Sequence, residues 1–311
     1  MNERQSTMRD GMDALRGQGI IPMEPFGALP CPREVETLAF VTSIGRLTAI
    51  RSRPGTDSDV IRGQALLVPG FTGSKEDFYD LLPLLSRRGW DVWAISQRGQ
   101  ADSSSPAGVD SYGRGRTAED VIEVARRISV VGGGVPLHLV GHSFGGTVAQ
   151  AAVIARPEAF TSLSLMSSGP HGWPGRKAAL RQRLLDHPGG DLWRLDNPDL
   201  ASVRDDELDV TDLFQRQRSE RTSRDELIGA IDQLADVHDT TEEIAGTGLP
   251  VLVLHGEHDS RAWPREWQRL MARRLHARYE VIPGAGHCPN QEKPNETAGL
   301  LDDFWSHADG R

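Results

Sequence analysis

One serine in the chain lies in a setting that would make its hydroxyl reactive. Residues 141–145 read Gly-His-Ser-Phe-Gly, with Ser143 at the centre, and another glycine follows at position 146. An apolar run over residues 137–141 precedes the serine and a helical stretch over residues 145–155 follows it. A strained serine at such a strand-to-helix junction has its hydroxyl exposed at a helix N-terminus, where negative charge is stabilised. The pattern therefore predicts a nucleophile at Ser143 rather than a plain glycine turn.

A serine nucleophile needs a base to take its proton, and a histidine in that role needs a carboxylate to hold its tautomer. His287 lies in a glycine-containing loop between the last predicted strand and the last predicted helix. Asp259 follows the strand before that one, in the run His-Gly-Glu-His-Asp over residues 255–259. We interpret His287 as the base and Asp259 as its carboxylate partner, with Glu257 as the alternative acid.

Acyl transfer also needs hydrogen-bond donors at the place where negative charge develops. The backbone N–H of Phe144, directly after the serine, is the first candidate donor. The second candidate is the N–H of Phe71, in the run Pro-Gly-Phe-Thr-Gly over residues 69–73 after the third predicted strand. The alternative for this run is a glycine turn that only starts the next helix.

Short apolar runs alternate with helical patterns along the chain, which is typical of βαβ units. We therefore predict an eight-stranded, mostly parallel sheet with helices on both faces. The first two strands are joined by a tight turn and should pair antiparallel. The helical patterns include one over residues 118–128, with Thr117 as its N-cap, and one over residues 291–307. The predicted strands cover residues 35–41, 44–51, 64–69, 91–96, 137–141, 162–167, 250–255 and 279–283.

This alternation occupies two stretches, residues 35–168 and 246–311, which we predict to form the core. Residues 1–34 read as an N-terminal extension. In that extension Met8, Met12 and Leu15 have the spacing of a short amphipathic helix, and four prolines then interrupt regular structure.

Residues 169–245 break the alternation, because they are rich in Arg, Asp and Glu and read as helical throughout. A helical insertion between two strands of a parallel sheet is best placed as a cap over the carboxyl ends of the strands. Trp173 and Trp193 within this predicted cap could line a substrate-binding pocket for an acyl group, and ordinary packing inside the cap is equally compatible with them.

Charge and composition limit the classes of partner that the chain could bind. The 311 residues include 44 acidic and 35 basic side chains, a net charge of −9, so the chain has no general attraction to nucleic acid or to anionic membranes. The sequence has no apolar run of about 18 residues, and its first residues lack the apolar stretch of a secretory signal. With only two cysteines, we expect a cytoplasmic protein with a small-molecule partner. The sequence does not determine the oligomeric state, and a homo-oligomer is one of the options.

No motif indicates a metal ion or a cofactor. His255 and His258 lie near Asp259, but their spacing is not that of a zinc-binding pair on a helix. Three glycines at 132–134 precede a predicted strand rather than follow one, which disfavours dinucleotide binding. We therefore expect no metal site and no cofactor.

Taken in order, these motifs resemble the α/β-hydrolase superfamily, over about residues 35–168 and 245–311. The resemblance implies that Ser143, Asp259 and His287 form a catalytic triad, and that the N–H groups of Phe71 and Phe144 form the oxyanion hole. The first and second segments depart from the common pattern at Pro69 and Gln100, where the family often has histidine. The matching segments are residues 69–73, 97–100 (Gln-Arg-Gly-Gln), 141–146, 256–259 (Gly-Glu-His-Asp) and 284–287 (Gly-Ala-Gly-His).

The same resemblance implies a serine hydrolase that cleaves a carboxylic ester or related acyl substrate through an acyl-enzyme intermediate. A serine nucleophile separates the chain from the similar epoxide hydrolases and haloalkane dehalogenases, which use aspartate. Two alternatives keep the same triad, namely a C–C bond hydrolase and a cofactor-free perhydrolase. A third is a non-catalytic binding protein of the same fold, which an intact triad disfavours.

Overall fold

The computed structural model describes residues 13–55, 61–187 and 191–310. The strands form a nine-stranded sheet rather than the expected eight-stranded one. The additional strand lies in the predicted N-terminal extension, and it was missed because three residues that end in proline give no alternating pattern. The strands are β1 Ile20–Pro22, β2 Glu36–Thr42, β3 Gly45–Ser52, β4 Gly63–Val68, β5 Trp90–Ile95, β6 Leu137–His142, β7 Phe160–Met166, β8 Val251–Gly256 and β9 Arg278–Ile282.

The order of strands across the sheet is β1-β2-β3-β5-β4-β6-β7-β8-β9. The strands from β5 to β9 in this order all pair parallel. At the other end β1, β2, β3 and β5 pair antiparallel, so the tight connection joins β2 and β3 as expected. The carboxyl ends of the parallel strands meet at one edge, where the loops after β4, β6, β8 and β9 converge. Ligand sites of open α/β sheets lie at this edge.

The helices differ from the predicted ones mainly at their ends. Thr117 is not an N-cap, because the helix begins three residues earlier after an extended Gly113, and the Thr117 hydroxyl donates to the Arg114 carbonyl. The last predicted helix is two helices, since Pro294 starts a new one. Besides residues 13–17, the α-helices are α1 Leu81–Ser86, α2 Arg114–Val131, α3 Phe144–Ala155, α4 Ala178–Asp186, α5 Leu192–Asp196, α6 Val210–Arg221, α7 Arg224–Ala235, α8 Thr241–Thr247, α9 Arg265–Arg274, α10 Pro289–Glu292 and α11 Pro294–Ala308.

Helices cover both faces of the sheet, as β4 illustrates. Leu66 and Val68 belong to the apolar cluster that includes side chains of α2 and α3. Ala65 and Leu67 point the other way and belong to the cluster that includes side chains of α1 and α11. Because both faces are covered, the inner strands are buried, as all six residues of β6 show. Each fully buried leucine contributes about 1.5–3 kcal/mol to the free energy of folding. This layered core holds the strand ends in fixed positions.

The N-terminal extension contributes to this core. Residues 13–17 are helical, and Leu15 is buried, while Met8 and Met12 of the predicted amphipathic helix lie outside the described residues. Ile20 of β1 is fully buried and pairs with Phe40 of β2. The described part of the extension therefore adds one strand to the sheet and packs on its core.

The inserted segment between β7 and β8, residues 167–250, contains helices α4 to α8 and no strand among its described residues. Leu184, Leu227 and Ile231 are central to an apolar cluster of its own. Phe71, from the loop after β4, packs against that cluster. The insertion therefore lies at the carboxyl-end edge of the sheet. Within the described ranges, no helix is both long and apolar enough to cross a membrane.

Candidate active site

Ser143 occupies a strained turn between β6 and α3. Its φ of 53° and ψ of −119° lie in a region that residues with a side chain rarely adopt. The neighbouring glycines allow this turn, because a Cβ on Gly141 would come within 2.5 Å of the Gly145 carbonyl oxygen and a Cβ on Gly145 would collide with the Val68 carbonyl. The N–H of Ser143 donates to the Met166 carbonyl at 2.8 Å. The hydroxyl is thereby held at the carboxyl-end edge of the sheet.

The structure brings Ser143, His287 and Asp259 into one line of hydrogen bonds. His287 Nδ1 lies 3.0 Å from both carboxylate oxygens of Asp259, and His287 Nε2 lies 3.0 Å from Ser143 Oγ. Because a carboxylate only accepts, the proton is on Nδ1, and Nε2 is left as the acceptor for the serine hydroxyl. This arrangement can remove the proton from Ser143.

Two loops must meet for this contact to form, and their backbones are joined directly. The N–H of His258, after β8, donates to the carbonyl of Ala285, after β9, at 2.7 Å. Gly256 also packs so closely on this second loop that a Cβ there would collide with the Gly286 carbonyl. The aspartate and the histidine are therefore carried by one rigid pair of loops.

The electrostatics of Asp259 favour the charged form. Its side chain is fully buried while that of His287 is 17% exposed. Burial alone would raise the pKa of Asp259, but the hydrogen bond and charge of His287 and the N–H of Arg261 outweigh it and hold the pKa below its usual value. Glu257, the alternative acid, accepts the N–H of Gly284 at 2.9 Å instead. The carboxylate that faces His287 is thus Asp259.

His142 also contacts His287, and sequence reasoning missed it. His142 Nε2 lies 2.9 Å from the His287 carbonyl oxygen and therefore donates to it. Burial and the nearby charge of His287 lower the pKa of His142 to about 4, so its ring is neutral at neutral pH. His142 holds the backbone of His287 against the end of β6. The sequence carries no signal for this contact, because the position before Ser143 does not reveal where its side chain points.

The loop after β4 passes beside Ser143. A Cβ on Gly70 would lie 3.2 Å from Ser143 Cβ. The side-chain amide of Gln97 donates to the Pro69 carbonyl at 2.9 Å, and that of Gln100 donates to the Gly70 carbonyl at 3.0 Å. In a planar trans peptide the C=O and the following N–H point in opposite directions. The N–H of Phe71 therefore points away from Gln100.

Phe144, which carries the other expected donor, is the first residue of α3. The N–H groups of the first helical turn have no acceptor within their own helix, and they lie at the positive end of the helix dipole. The Phe144 N–H follows directly after Ser143 in this setting. Negative charge that develops on an atom close to Ser143 Oγ would therefore be stabilised.

A cavity of about 360 Å³ opens over Ser143 and His287. Trp173 belongs to its described lining, whereas Trp193 lines a second cavity of about 130 Å³ that includes Thr72. Three cationic side chains that sequence reasoning did not single out also line the first cavity. Its described lining consists of Phe71, Ser143, Trp173, Arg176, Lys177, Leu234, Arg261, Ala262, Trp263 and His287.

Both cysteines are free thiols. Cys288 follows His287, and burial, together with the negative charges of Asp77 and Glu292, raises the pKa of its thiol to about 12. The thiol is therefore protonated at neutral pH and unreactive as a nucleophile. This agrees with a packing role for Cys288.

A family model described as the alpha/beta hydrolase family matches residues 65–300. The chain belongs to this family. Within it, the chain is 24% identical over 265 residues to the sn-1-specific diacylglycerol lipase ABHD11 of Mus musculus, which covers 80% of this chain and 82% of the lipase.

A second relative of this alpha/beta hydrolase is much longer than the chain. The chain is 27% identical over 275 residues to the polyketide synthase ThaQ of Burkholderia thailandensis, which covers 82% of the chain but 12% of the synthase. Among solved structures, a thermophilic esterase from Thermogutta terrifontis is similar with a TM-score of 0.67 at 20% identity, covering 88% of this chain and 98% of that one. This structural likeness supports the fold.

Proposed function

We propose that this alpha/beta hydrolase is a serine hydrolase that cleaves a carboxylic ester or a related acyl substrate. The observation that carries the proposal is the line of 3.0 Å contacts from Asp259 through His287 to Ser143. The strained backbone of Ser143 and the cavity above it add support, since both leave the hydroxyl accessible to a small molecule. Membership of a hydrolase family agrees with the same reaction type.

In the proposed first step Ser143 Oγ attacks the acyl carbon while its proton passes to His287 Nε2. The imidazolium that forms is stabilised by the Asp259 carboxylate, which stays ionised. The N–H groups of Phe71 and Phe144 donate to the oxyanion of the tetrahedral intermediate. One such donor is typically worth about 10²–10³ in kcat.

The second step uses the proton that His287 took from Ser143. His287 protonates the leaving group, which departs, and Ser143 holds the acyl group as an ester. A water molecule then enters, gives its proton to His287 Nε2 and attacks the acyl carbon. Ser143 leaves with the proton from His287, and the carboxylic acid is released. These steps use side chains and backbone donors of the chain and need no cofactor.

The parts of the chain have separate roles in this proposal. Residues 35–168 and 246–311 form the core that carries the reacting groups, and residues 169–245 form a cap that encloses the substrate. Trp173 contacts the acyl group from the cap. Trp193 contributes to binding only for a substrate that extends into the second cavity.

Labelling with a fluorophosphonate probe tests the nucleophile. We expect the wild-type protein to take up the probe at Ser143 and the Ser143→Ala variant to take up none. The Ser143→Ala variant should also lose about 10⁶ in kcat. Ser43, an exposed serine in the turn between β2 and β3, provides the control, and Ser43→Ala should label like the wild type. If folded wild-type protein stays unlabelled at Ser143, the proposal is wrong.

A further inference from the structure

The cavity over Ser143 is lined by positive charge, although the net charge of the protein is −9. Arg176, Lys177 and Arg261 belong to its lining, and among the described residues no Asp or Glu does. Like charges on one wall repel each other, and the repulsion is stronger where water is partly excluded. An anion placed among them removes that cost. The wall therefore favours a ligand with a negative charge.

Two of these cations lack an acidic partner. Throughout the described ranges, neither the Lys177 ammonium nor the Arg261 guanidinium forms an ion pair with a carboxylate. Arg261 contacts Asp259 through its backbone N–H, at 3.0 Å. The Lys177 ammonium lies 4.4 Å from the centre of the Phe71 ring. Burial, and then the charge of Arg176, lower the pKa of Lys177. A bound anion would offset both effects.

Two arginines of the inserted segment that lie outside this cavity, in contrast, have acidic partners. Arg181 pairs with Asp232 at 2.8 Å, and Arg194 pairs with Glu220 at 2.7 Å. Those pairs lie on exposed helix surfaces. The cavity thus keeps cations whose charge is not already neutralised by the protein.

Arg176 has a different role from the other two cations. Its guanidinium donates to the carbonyls of Arg261 and Ala262 and stacks on Trp173, with 4.8 Å to the ring centre. These contacts hold the start of the inserted segment against the loop after β8. Lys177 and Arg261 are thereby kept at the same cavity.

We propose that the substrate carries a carboxylate or a phosphate in addition to its acyl group, and that Lys177 and Arg261 bind this anion. The inference rests on the proposed function, because it assigns a substrate class to the same site. Lys177 contacts Phe71, so the anion lies on the wall next to the reacting carbonyl. Trp173 and Trp263 contact the apolar part of the substrate. A cavity of about 360 Å³ is at the small end of ligand sites, which suits a compact molecule.

Matched esters test the inference. Mono-p-nitrophenyl succinate differs from p-nitrophenyl butyrate in that a carboxylate replaces the terminal methyl group. Each rate is corrected for spontaneous hydrolysis without protein. We expect kcat/KM to be at least about tenfold higher for the succinate ester. The preference should shrink as the salt concentration rises from about 0.05 to about 0.5 M. Equal kcat/KM values for the two esters would overturn the inference.

Variants locate the anion site. Lys177→Met and Arg261→Gln remove one charge each and nearly keep the side-chain length, and each should lower the succinate-to-butyrate ratio by about fivefold. Arg273→Gln removes an exposed charge of α9 outside this cavity and should leave the ratio unchanged. A preference that survives in the Lys177→Met, Arg261→Gln double variant contradicts the assignment.

Binding measurements separate this inference from the proposed function. In the Ser143→Ala variant, dissociation constants of both esters are measured by titration calorimetry. Tighter binding of the succinate ester supports the anion site even if the wild type turns over neither ester, a result that would refute the proposed function alone. Equal binding of both esters refutes the anion site whatever the turnover. A third ester, p-nitrophenyl 3-phosphonopropionate, distinguishes a carboxylate from a phosphate on the substrate. If the protein binds this ester more tightly than the succinate ester, the substrate bears a phosphate.

Discussion

The two sides of the cavity over Ser143 are built in different ways. The side that carries Ser143 consists of backbone turns in close contact, where Gly141 and Gly145 leave no room for a Cβ. The other side includes long side chains, among them the half-buried Lys177 and the exposed Arg261. Backbone geometry thus positions the reacting atoms, whereas exchangeable side chains set the charge of the ligand. Substrate preference can change on this wall without disturbing the hydrogen-bonded line from Asp259 to Ser143.

After the loss of the Ser143 hydroxyl itself, the largest effect is expected where the rigid side is broken at Asp259. The Asp259→Asn variant keeps the size of the side chain, but it stabilises the wrong tautomer of His287, so kcat should fall by about 10⁴. The measurement is the steady-state rate with p-nitrophenyl butyrate. Glu257→Gln serves as the control, because Glu257 binds the Gly284 N–H instead of the imidazole. Near-wild-type activity of Asp259→Asn would move the role to another acid.

A smaller effect is expected at Gln100, which acts on the rigid side through the loop after β4. Gln100→Met removes the amide that holds the Gly70 carbonyl, so the Phe71 N–H loses its fixed direction. Since removal of a whole oxyanion donor typically costs about 10²–10³, a misdirected donor should lower kcat about tenfold with little change in KM. A rise in KM at constant kcat would instead assign Gln100 to substrate binding. The melting temperature shows whether the variant remains folded.

The smallest effect concerns Glu226, where the inserted segment meets the core. Burial raises the pKa of Glu226 to about 8, although a hydrogen bond with Gln100 lowers it. Between pH 4.5, its ordinary pKa, and about pH 8, the folded protein keeps a proton that the unfolded chain releases. The stability contributed by protonated Glu226 is therefore present below pH 4.5 and is lost as the pH rises through about 8.

Glu226→Gln should remove this pH dependence. The melting temperature of the variant minus that of the wild type should be about 2–4 °C larger at pH 8.5 than at pH 5. Glu158→Gln, at an exposed glutamate, should show no such difference between the two pH values. The same melting-temperature difference for Glu226→Gln at both pH values would mean that Glu226 is ionised in the folded protein.

The sequence predicts the rigid side of the cavity well because strand ends carry it. Ser143, Asp259 and His287 each follow a strand of the parallel part of the sheet, and parallel strands place their carboxyl ends at one edge. Spacing along the chain is therefore enough to expect them together, and the structure brings them within hydrogen-bond distance. The structure also confirms the mostly parallel sheet with helices on both faces, which the spacing of strands along the chain likewise predicts.

Other features depend on contacts that spacing does not encode. The start of α2 is set by the extended backbone of Gly113, and periodicity located only its buried residues. Trp193 lies in the predicted cap, residues 169–245, but it lines a different cavity from the one over Ser143. The cations Lys177 and Arg261 come together from loops far apart in the chain. Such long side chains are placed by tertiary packing, which leaves no local pattern in the sequence.

The short strand β1 has a consequence for association between molecules. It covers one border of the sheet with three residues and ends at Pro22, which has no N–H to offer a neighbouring strand. Without β1, the seven residues of β2 would expose a row of unpaired peptide groups. Variants that lack the residues up to and including Pro22 should therefore tend to aggregate by strand addition, even though every group around Ser143 would be intact.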